Sequence, residues 1–316
     1  MGWGRASASA CLLALLLASS PLSTMAESGD SAPIQADSLN VVIIDSAPHD
    51  PAAYTQGLAF RDGRLFESTG RYGESTLREV EPVTGEVLRN HSLNGSEFGE
   101  GLTIVGDEIL QLTWRENVLH RYRWDTFEVL GNHTFSGEGW GLAHDGQRLI
   151  MSNGSDQLTY RNVTTFEVEG TLNVTLNGTP VQKLNELEVW QGLILANVYQ
   201  SDHIVGIDPA SGIVVLDIDA SGLRTTGGKE LNGIAWDATT DSLWITGKDW
   251  SLMYSITFEA PPRYEPDPVE DNPDVQAQAQ GDVSVILVAM GLLVLMLLAM
   301  NLKDGERNGE ERGGSP

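Results

Sequence analysis

Short apolar runs bounded by turn residues recur five times between residues 40 and 258. In the first repeat, Gly57-Leu-Ala-Phe is followed after a polar turn by Gly63-Arg-Leu-Phe-Glu-Ser-Thr-Gly70. Short apolar runs that end at Gly, Asp and Asn clusters are typical of β-strands joined by tight turns. The pattern therefore predicts an all-β domain over residues 40–258.

The first apolar anchor of each repeat sets the period of the domain. The anchors are spaced by 44, 40, 45 and 47 residues, at Leu58, Leu102, Leu142, Leu187 and Ile234. A period of about 40–50 residues is the range of propeller blades. The spacing predicts a five-bladed β-propeller.

Each repeat predicts four short strands. The first two form a hairpin through a turn such as Arg61-Asp-Gly63, and a third strand such as Thr76–Val80 follows before a second turn and a fourth strand. The fifth repeat has no fourth strand before Phe258. We expect Leu39 to Ile44 to supply it, because pairing the first strand with the last blade closes the ring and removes an exposed edge.

The first 26 residues have the pattern of an export signal. Arg5 provides a positive charge, Cys11 to Ala18 form an apolar run, and Thr24-Met-Ala26 resembles a cleavage site. Cys11 is the single cysteine, so the mature protein would have no disulfide, thiol nucleophile or thiolate metal site. We therefore predict a signal peptide over residues 1–26.

A second apolar segment, Val283 to Met300, is long enough to span a membrane. Eighteen residues extend roughly 27 Å as a helix, close to the thickness of a hydrocarbon core. Basic residues follow this segment and are absent from 264–282, which places the C-terminus inside and the main domain outside. A buried core helix is the alternative. The sequence thus predicts a disordered linker over 260–281, a transmembrane helix over 283–302 and a cytoplasmic tail over 303–316.

Charge and histidine placement limit the chemistry. The chain has 44 acidic against 19 basic side chains, a net charge of -25, which argues against nucleic acid as a partner. The six histidines are scattered without ligand spacing, so no zinc site is expected. We expect a monomeric propeller with no metal ligands among its site residues.

Blade topology places two sets of side chains around one mouth of the central channel. One set precedes the anchors, and the other lies at the end of each second strand. The two sets are Gln56, Glu100, Trp140, Asn185 and Asn232, and then Thr69-Gly70, Trp114, Asn153, Tyr199-Gln200 and Lys248.

This set of side chains fits a ligand site. A carboxylate and an ammonium can exchange protons, amides can orient a polar substrate, and aromatic rings can exclude water. The alternative is a purely structural plug of satisfied amides with an ion pair between Glu100 and Lys248. Composition alone leaves both open.

The same positions resemble a known family, the plant and bacterial type glutaminyl-peptide cyclotransferases. The resemblance runs in order through all five repeats of residues 40–258. It rests on His49-Asp-Pro-Ala-Ala-Tyr-Thr-Gln-Gly-Leu58, Glu67-Ser-Thr-Gly-Arg-Tyr-Gly73, Gly99-Glu-Gly-Leu-Thr103, Gln111-Leu-Thr-Trp114, Gly137-Glu-Gly-Trp-Gly141, Asn185-Glu-Leu-Glu188, Leu231-Asn-Gly-Ile234 and Thr246-Gly-Lys248.

The resemblance implies a reaction and a set of roles. An N-terminal glutaminyl residue of a peptide closes to pyroglutamate and releases ammonia, without zinc or another required cofactor. Structural calcium in the channel is compatible with the family. The implied catalytic residues are Glu100 as proton shuttle, Lys248 and Asn185, and the implied substrate-binding residues are Gln56, Tyr54, Trp114, Trp140, Tyr199 and Asn232.

Two departures and two alternatives accompany this interpretation. Tyr199 stands where the family commonly has tryptophan, and Tyr54 where some members have phenylalanine, so we expect altered substrate preference. The alternatives are a non-catalytic extracellular propeller that binds peptides or sugars on this face, and a tethered scaffold. The retention of both Glu100 and Lys248 favours the enzyme.

Overall fold

The structure, a computed structural model, describes residues 35–259. Its regular elements over that range are all β-strands. No helix long and apolar enough to cross a bilayer occurs between residues 35 and 259. The predicted signal peptide, linker, transmembrane helix and cytoplasmic tail lie outside the described residues.

The strands form five four-stranded units, numbered here in chain order. Unit 1 contains β2 (Thr55–Arg61), β3 (Arg64–Thr69), β4 (Thr76–Val80) and β5 (Val87–Ser92). Unit 2 contains β6 (Gly99–Val105), β7 (Glu108–Thr113), β8 (Val118–Arg123) and β9 (Val129–Thr134). Unit 3 contains β10 (Leu142–His144), β11 (Leu149–Met151), β12 (Gln157–Arg161) and β13 (Val168–Asn173).

The remaining two units belong to one eight-stranded sheet. Unit 4 contains β16 (Leu184–Trp190), β17 (Leu193–Val198), β18 (His203–Ile207) and β19 (Val214–Asp219). Unit 5 contains β20 (Leu231–Asp237), β21 (Ser242–Gly247), β22 (Leu252–Phe258) and β1 (Asp37–Pro48). A short hairpin of β14 (Thr175–Leu176) and β15 (Thr179–Pro180) connects units 3 and 4.

The first strands of the five units contact one another in a closed order. β2 contacts β6, β6 contacts β10, β10 contacts β16, β16 contacts β20, and β20 returns to β2. The sheets are therefore arranged like the blades of a propeller, with the first strand of each unit innermost.

The N-terminal strand β1 joins the two ends of the domain, as predicted. Its Val41–Pro48 part pairs antiparallel with β22 and so completes unit 5. Its Asp37–Asn40 part pairs in parallel with β19 of unit 4, which the sequence did not indicate. Because β1 bridges both units, they share the eight-stranded sheet.

The predicted hairpin turn between β2 and β3 is confirmed. Arg61 pairs with Arg64, and the two residues between them, Asp62 and Gly63, have φ of 51° and 74°. Two consecutive positive φ values define the turn whose twist matches that of the flanking strands, and Asp-Gly is a favoured sequence for it.

Glycines allow the innermost strands to approach closely. A Cβ on Gly57 would lie 2.6 Å from the backbone nitrogen of Leu102, and one on Gly101 would lie 2.6 Å from the backbone nitrogen of Leu142. A Cβ on Gly141 would collide with the backbone of Asn185. Each glycine immediately follows a predicted site residue. The close contact between neighbouring units therefore fixes where those side chains project.

The core lies between adjacent sheets. Between units 1 and 2, for example, Phe66 and Leu77 pack with Leu102, Ile109 and Tyr122, and all five are almost inaccessible to solvent. Burying one large apolar side chain contributes about 1.5–3 kcal/mol. These layers hold the units at fixed positions around the ring.

Candidate functional site

A pocket opens at one mouth of the ring, where side chains from four of the five units and from the segments between them converge. Its volume is about 230 Å³, and its wall combines aromatic rings with one carboxyl, one amine and two amides. The lining residues are Tyr54, Gln56, Phe98, Glu100, Trp114, Trp140, Asn185, Tyr199 and Lys248. Eight of these nine were candidates from the sequence, so the predicted mouth is largely assembled.

Glu100 is the buried carboxyl of the pocket. It lies near the start of β6, where the pairing with β7 shifts register between Gly99 and Leu102, and it is 5% exposed. Burial raises the pKa of Glu100 well above its usual value, and Lys248 and the Gln56 amide oppose that rise. A carboxyl with a raised pKa is suited to exchanging protons near neutral pH.

Lys248 follows β21 and is also buried. Its backbone is clamped, since its N–H donates to the Glu230 carbonyl at 2.9 Å and its carbonyl accepts from Lys229 N–H at 2.8 Å. Its ammonium lies 4.9 Å from the centroid of the Tyr54 ring. Burial lowers the pKa of Lys248, and the charge of Glu100 opposes that effect.

No direct ion pair joins Glu100 to Lys248 among the salt bridges of residues 35–259, although each affects the pKa of the other. The ion pair that the structural alternative requires is therefore not formed within the described residues. Both groups line the pocket.

Gln56 is held in place by Asn232. The Asn232 side-chain amide donates to Gln56 Oε1 at 3.0 Å and to the Thr55 carbonyl at 3.0 Å. Asn232 is fully buried and lies behind Gln56, outside the set that lines the pocket. It supports the wall from unit 5, which differs from the direct substrate contact that the sequence predicted.

Asn185 carries an unpaired acceptor. The residue is 2% exposed, and its Oδ1 is buried with no hydrogen-bond partner within the described chain. An unpaired buried polar atom costs about 1–3 kcal/mol, so it points to a partner that binds there. Within the described chain this amide is therefore not fully satisfied.

The aromatic wall includes one residue that the sequence did not indicate. Phe98 packs edge-on against Trp114 with ring centroids 5.7 Å apart, and Trp140 packs edge-on against Tyr199 at 5.6 Å. Phe98 precedes Glu100 by two positions, just as Tyr54 precedes Gln56. Comparing those offsets between repeats would have identified it.

Several predicted mouth residues do not line the pocket. The Thr69 hydroxyl bonds to the Thr76 hydroxyl at 2.7 Å, and Gly70 lies directly against the Phe98 ring. Asn153 is exposed and accepts the Ser155 hydroxyl at 2.6 Å. These positions support the rim without contacting the cavity.

Glu186, next to Asn185 in β16, is a second buried acidic residue of the innermost strands. Glu186 occupies the position that is glycine in the other four units, and both its oxygens already accept backbone N–H groups, from Leu58 at 3.3 Å and Ile234 at 2.8 Å. Glu186 of unit 4 therefore links unit 1 and unit 5 through these two hydrogen bonds. No group of three or more metal-ligating side chains occurs within residues 35–259.

Comparisons with known proteins agree on one family. The sequence matches the glutamine cyclotransferase family over residues 12–258. It is 37% identical to a glutaminyl-peptide cyclotransferase of Arabidopsis thaliana over 229 residues, which cover 69% of this chain and 71% of the relative. The structure is similar to that of the Myxococcus xanthus glutaminyl cyclase, with a TM-score of 0.67 and 35% identity. The match covers 71% of this chain and 98% of the Myxococcus chain.

Proposed function

Because this chain belongs to the glutamine cyclotransferase family, we propose how its pocket performs the conversion of an N-terminal glutaminyl residue to pyroglutamate. The α-amine of the substrate attacks the side-chain amide carbon. A C–N bond forms in the ring, and the bond to the departing nitrogen breaks to release ammonia. The observation that carries the assignment is that one buried carboxyl, Glu100, lines the aromatic pocket.

Glu100 acts as the proton shuttle. As a carboxylate it takes a proton from the attacking amine, and as a carboxylic acid it returns that proton to the leaving ammonia. Burial raises its pKa by penalising the charged form, so the protonated form is more accessible than in an exposed glutamate. No second acid is needed, since the same proton is taken up and returned.

Lys248, Asn185 and Gln56 surround the reacting amide. The Lys248 ammonium stabilises the oxyanion of the tetrahedral intermediate, because a donor that faces the developing charge in a dry pocket stabilises it strongly. The free Asn185 Oδ1 accepts an N–H of the substrate, which satisfies the acceptor that the chain leaves unpaired. Gln56, held by Asn232, orients the substrate beside Glu100.

The aromatic wall folds the substrate back on itself. Cyclisation requires the α-amine and the side-chain amide to meet, which is mainly a matter of restricting conformations. Trp114, Trp140, Phe98 and Tyr199 enclose the aliphatic part of the glutamine side chain. We propose that no zinc takes part, in keeping with the carboxyl and amine chemistry of the lining.

The purified full chain should convert a peptide that begins with Gln to its pyroglutamyl form without added zinc. Mass spectrometry should show the loss of ammonia. Glu100→Gln should reduce the rate to the spontaneous level while the protein stays folded, and Glu128→Gln, which alters an exposed carboxylate, should not. Full activity in Glu100→Gln would disprove the assignment of the proton shuttle.

We also propose the wider architecture. The five units form a five-bladed β-propeller that β1 closes, supported by the ring of contacts and by the pairing of β1 with β22. The chain is exported, and an apolar segment over 283–302 anchors it with the propeller outside, as the flanking charges favour. Protease added to intact cells should then remove the domain while leaving the C-terminal tail protected.

A further inference from the structure

The carboxylate of Glu138 ties together the two tryptophans of the pocket wall. Its Oε2 accepts the indole N–H of Trp114 at 2.8 Å and that of Trp140 at 3.0 Å. Trp114 follows β7 of unit 2, whereas Trp140 precedes β10 of unit 3. A single oxygen atom therefore fixes two rings that belong to different units.

The second oxygen of Glu138 fixes the same corner from outside. Oε1 accepts from Arg115 Nε at 2.9 Å, and the Arg115 guanidinium lies 3.7 Å from the centroid of the Trp114 ring. Arg115 thus covers the solvent side of Trp114 while its partner carboxylate holds the indole edge. Both carboxylate oxygens of Glu138 therefore accept hydrogen bonds from residues at this wall.

The backbone around Glu138 is shaped to place it there. Gly137 has φ of +95°, and a Cβ on Gly139 would lie 2.8 Å from the Thr113 carbonyl. Gly139 N–H donates to the Trp114 carbonyl at 2.9 Å. The two flanking glycines let the segment between units 2 and 3 pack against the end of β7. This packing brings the Glu138 carboxylate to the contact between the two units.

The two indole N–H groups are therefore not available to the substrate. Both rings line the cavity, and the bond to Glu138 fixes the rotation of each. An amide side chain inside the cavity would contact a flat apolar wall there, and its polar contacts would come from Gln56, Glu100, Asn185 and Lys248.

We propose that Glu138 is a positioning residue for the cyclisation, which fixes Trp114 and Trp140 in the orientation that folds the glutamine side chain toward its own amine. This inference rests on the proposed use of the pocket as the active site. It assigns to Glu138 no contact with the substrate.

The charge of Glu138 has a separate effect on the proton shuttle. Glu138 and Glu116 both raise the pKa of Glu100, while Lys248 lowers it. The phenol groups of Tyr54 and Tyr199 also lie near Glu100, and they stay neutral because burial raises the pKa of each. Removing the Glu138 charge should therefore lower the pKa of Glu100.

Two substitutions separate the hydrogen bonds from the charge. Glu138→Gln keeps an oxygen acceptor for the indoles and removes the charge. We expect its KM to stay within about twofold of wild type and the acidic limb of its kcat/KM profile to move to lower pH. Glu138→Ala removes the acceptor as well, and we expect its KM for a Gln peptide to rise about tenfold.

The matched control is Glu128→Gln, which removes an exposed carboxylate that pairs with Arg123 and leaves both indole bonds in place. It should keep KM near the wild-type value. A wild-type KM in Glu138→Ala, or an equal rise of KM in Glu138→Gln and Glu138→Ala, would overturn the positioning role.

A readout without substrate separates this inference from the proposed function. In protein labelled with nitrogen-15 at tryptophan, the indole N–H signals of Trp114 and Trp140, assigned with phenylalanine variants, should shift upfield in Glu138→Ala and much less in Glu138→Gln. If the wild type had no cyclase activity but these shifts occurred, the proposed function would be wrong, and the hydrogen bonds from both indoles to Glu138 would be confirmed. Unchanged chemical shifts in Glu138→Ala would show that Glu138 does not hold the two indoles.

Discussion

The ammonium of Lys248 lies 4.8 Å from the centroid of the Tyr199 ring. Tyr54 approaches the same ammonium from another side, so the cation is held between two aromatic faces inside the pocket. A cation on an aromatic face is stabilised by the quadrupole of the ring, most strongly where water is excluded. The two aromatic faces therefore stabilise the charged form of Lys248, which burial disfavours, and that charge opposes the rise in the pKa of Glu100.

Replacing Lys248 with methionine should change both rate and pH dependence. The charge of Lys248 lowers the pKa of Glu100, so its loss should raise that pKa further. Glu100 must be deprotonated to accept the proton of the amine, so the acidic limb of kcat/KM should move to higher pH. We expect a loss of about 10²-fold in kcat from the missing oxyanion donor.

The measurement is a pH series of initial rates with one Gln peptide. The control is Lys183→Met, which removes an amine that bonds to Gln200 at 2.8 Å on the exposed surface. An unchanged acidic limb in Lys248→Met would mean that the two groups are not coupled in the working enzyme.

We expect Tyr199 to contribute to the affinity for the substrate and not to be essential for catalysis. It contacts Trp140 edge-on and carries one face of the Lys248 site. We expect Tyr199→Trp to retain kcat, because the aromatic face is kept. Tyr199→Ala should raise KM several-fold, since the pocket loses part of its wall. Steady-state kinetics with Gln peptides of differing second residue would test this, and a wild-type KM in Tyr199→Ala would contradict it.

The contact between units 3 and 4 can be tested through Gly141. A methyl group there would collide with the backbone of Asn185, which cannot withdraw without moving the pocket. Overpacking of this kind costs about 1–3 kcal/mol. We expect Gly141→Ala to lower the free energy of unfolding by about that amount and to impair activity as well.

Gly170→Ala is the matched control for that substitution. A methyl group at this outer strand would come no closer than 3.9 Å to a neighbour, the ring of Tyr160. Its unfolding free energy, measured in urea, should stay within about 0.5 kcal/mol of wild type. Equal effects of the two substitutions would show that close approach at the ring is not the cause.

A buried pair of His49 and Glu67 should make stability depend on pH. His49 Nε2 lies 3.0 Å from Glu67 Oε1, and its Nδ1 lies 2.7 Å from the Trp250 carbonyl. Burial alone would lower the pKa of His49, but Glu67 and the carbonyl raise it above its usual 6.5. Burial alone would raise the pKa of Glu67, but His49 and Arg78 bring it below its usual 4.5.

The two pKa shifts stabilise the folded protein over different ranges of pH. The contribution of His49 is fully present below pH 6.5 and is lost as pH rises through its raised folded-state pKa. The contribution of Glu67 is present above pH 4.5 and is lost as pH falls through its lowered folded-state pKa. Both contribute fully between about pH 4.5 and 6.5.

His49→Ala should therefore lower the free energy of unfolding most between about pH 4.5 and 6.5. Leaving Glu67 buried without its partner should lower the free energy of unfolding by about 3 kcal/mol. Urea unfolding across a pH series measures the difference from wild type. His203→Ala, which breaks a partly exposed 2.7 Å pair with Asp217, should lower the free energy of unfolding by less than about 1 kcal/mol. A pH-independent difference in His49→Ala would show that the pair is not ionised.

Much of the domain follows from local pattern. The repeat of anchors located the first strand of every unit, and the offset from each anchor placed Gln56, Glu100, Trp140 and Asn185 on the pocket. This worked because the innermost strands of a ring share one direction and one register. The ends of the innermost strands therefore lie around one mouth of the ring.

What the pattern missed depends on contacts between repeats. Glu138 acts across the seam between units 2 and 3, and Asn232 reaches from unit 5 to Gln56 of unit 1. Their sequence positions carry no sign of those partners, because each partner is distant in the chain or reached through a turn. The extension of β1 onto β19 was missed for the same reason.

The joining of first and last units has a consequence for the order of synthesis. Tyr54 is made early and Lys248 near the end of the domain, yet they meet in the pocket, where Asp249 N–H donates to the Ala53 carbonyl at 2.8 Å. A growing chain thus carries every tryptophan of the wall before it has a working site. With the proposed role of Lys248, we expect cyclase activity to appear only after translation has passed the final strand.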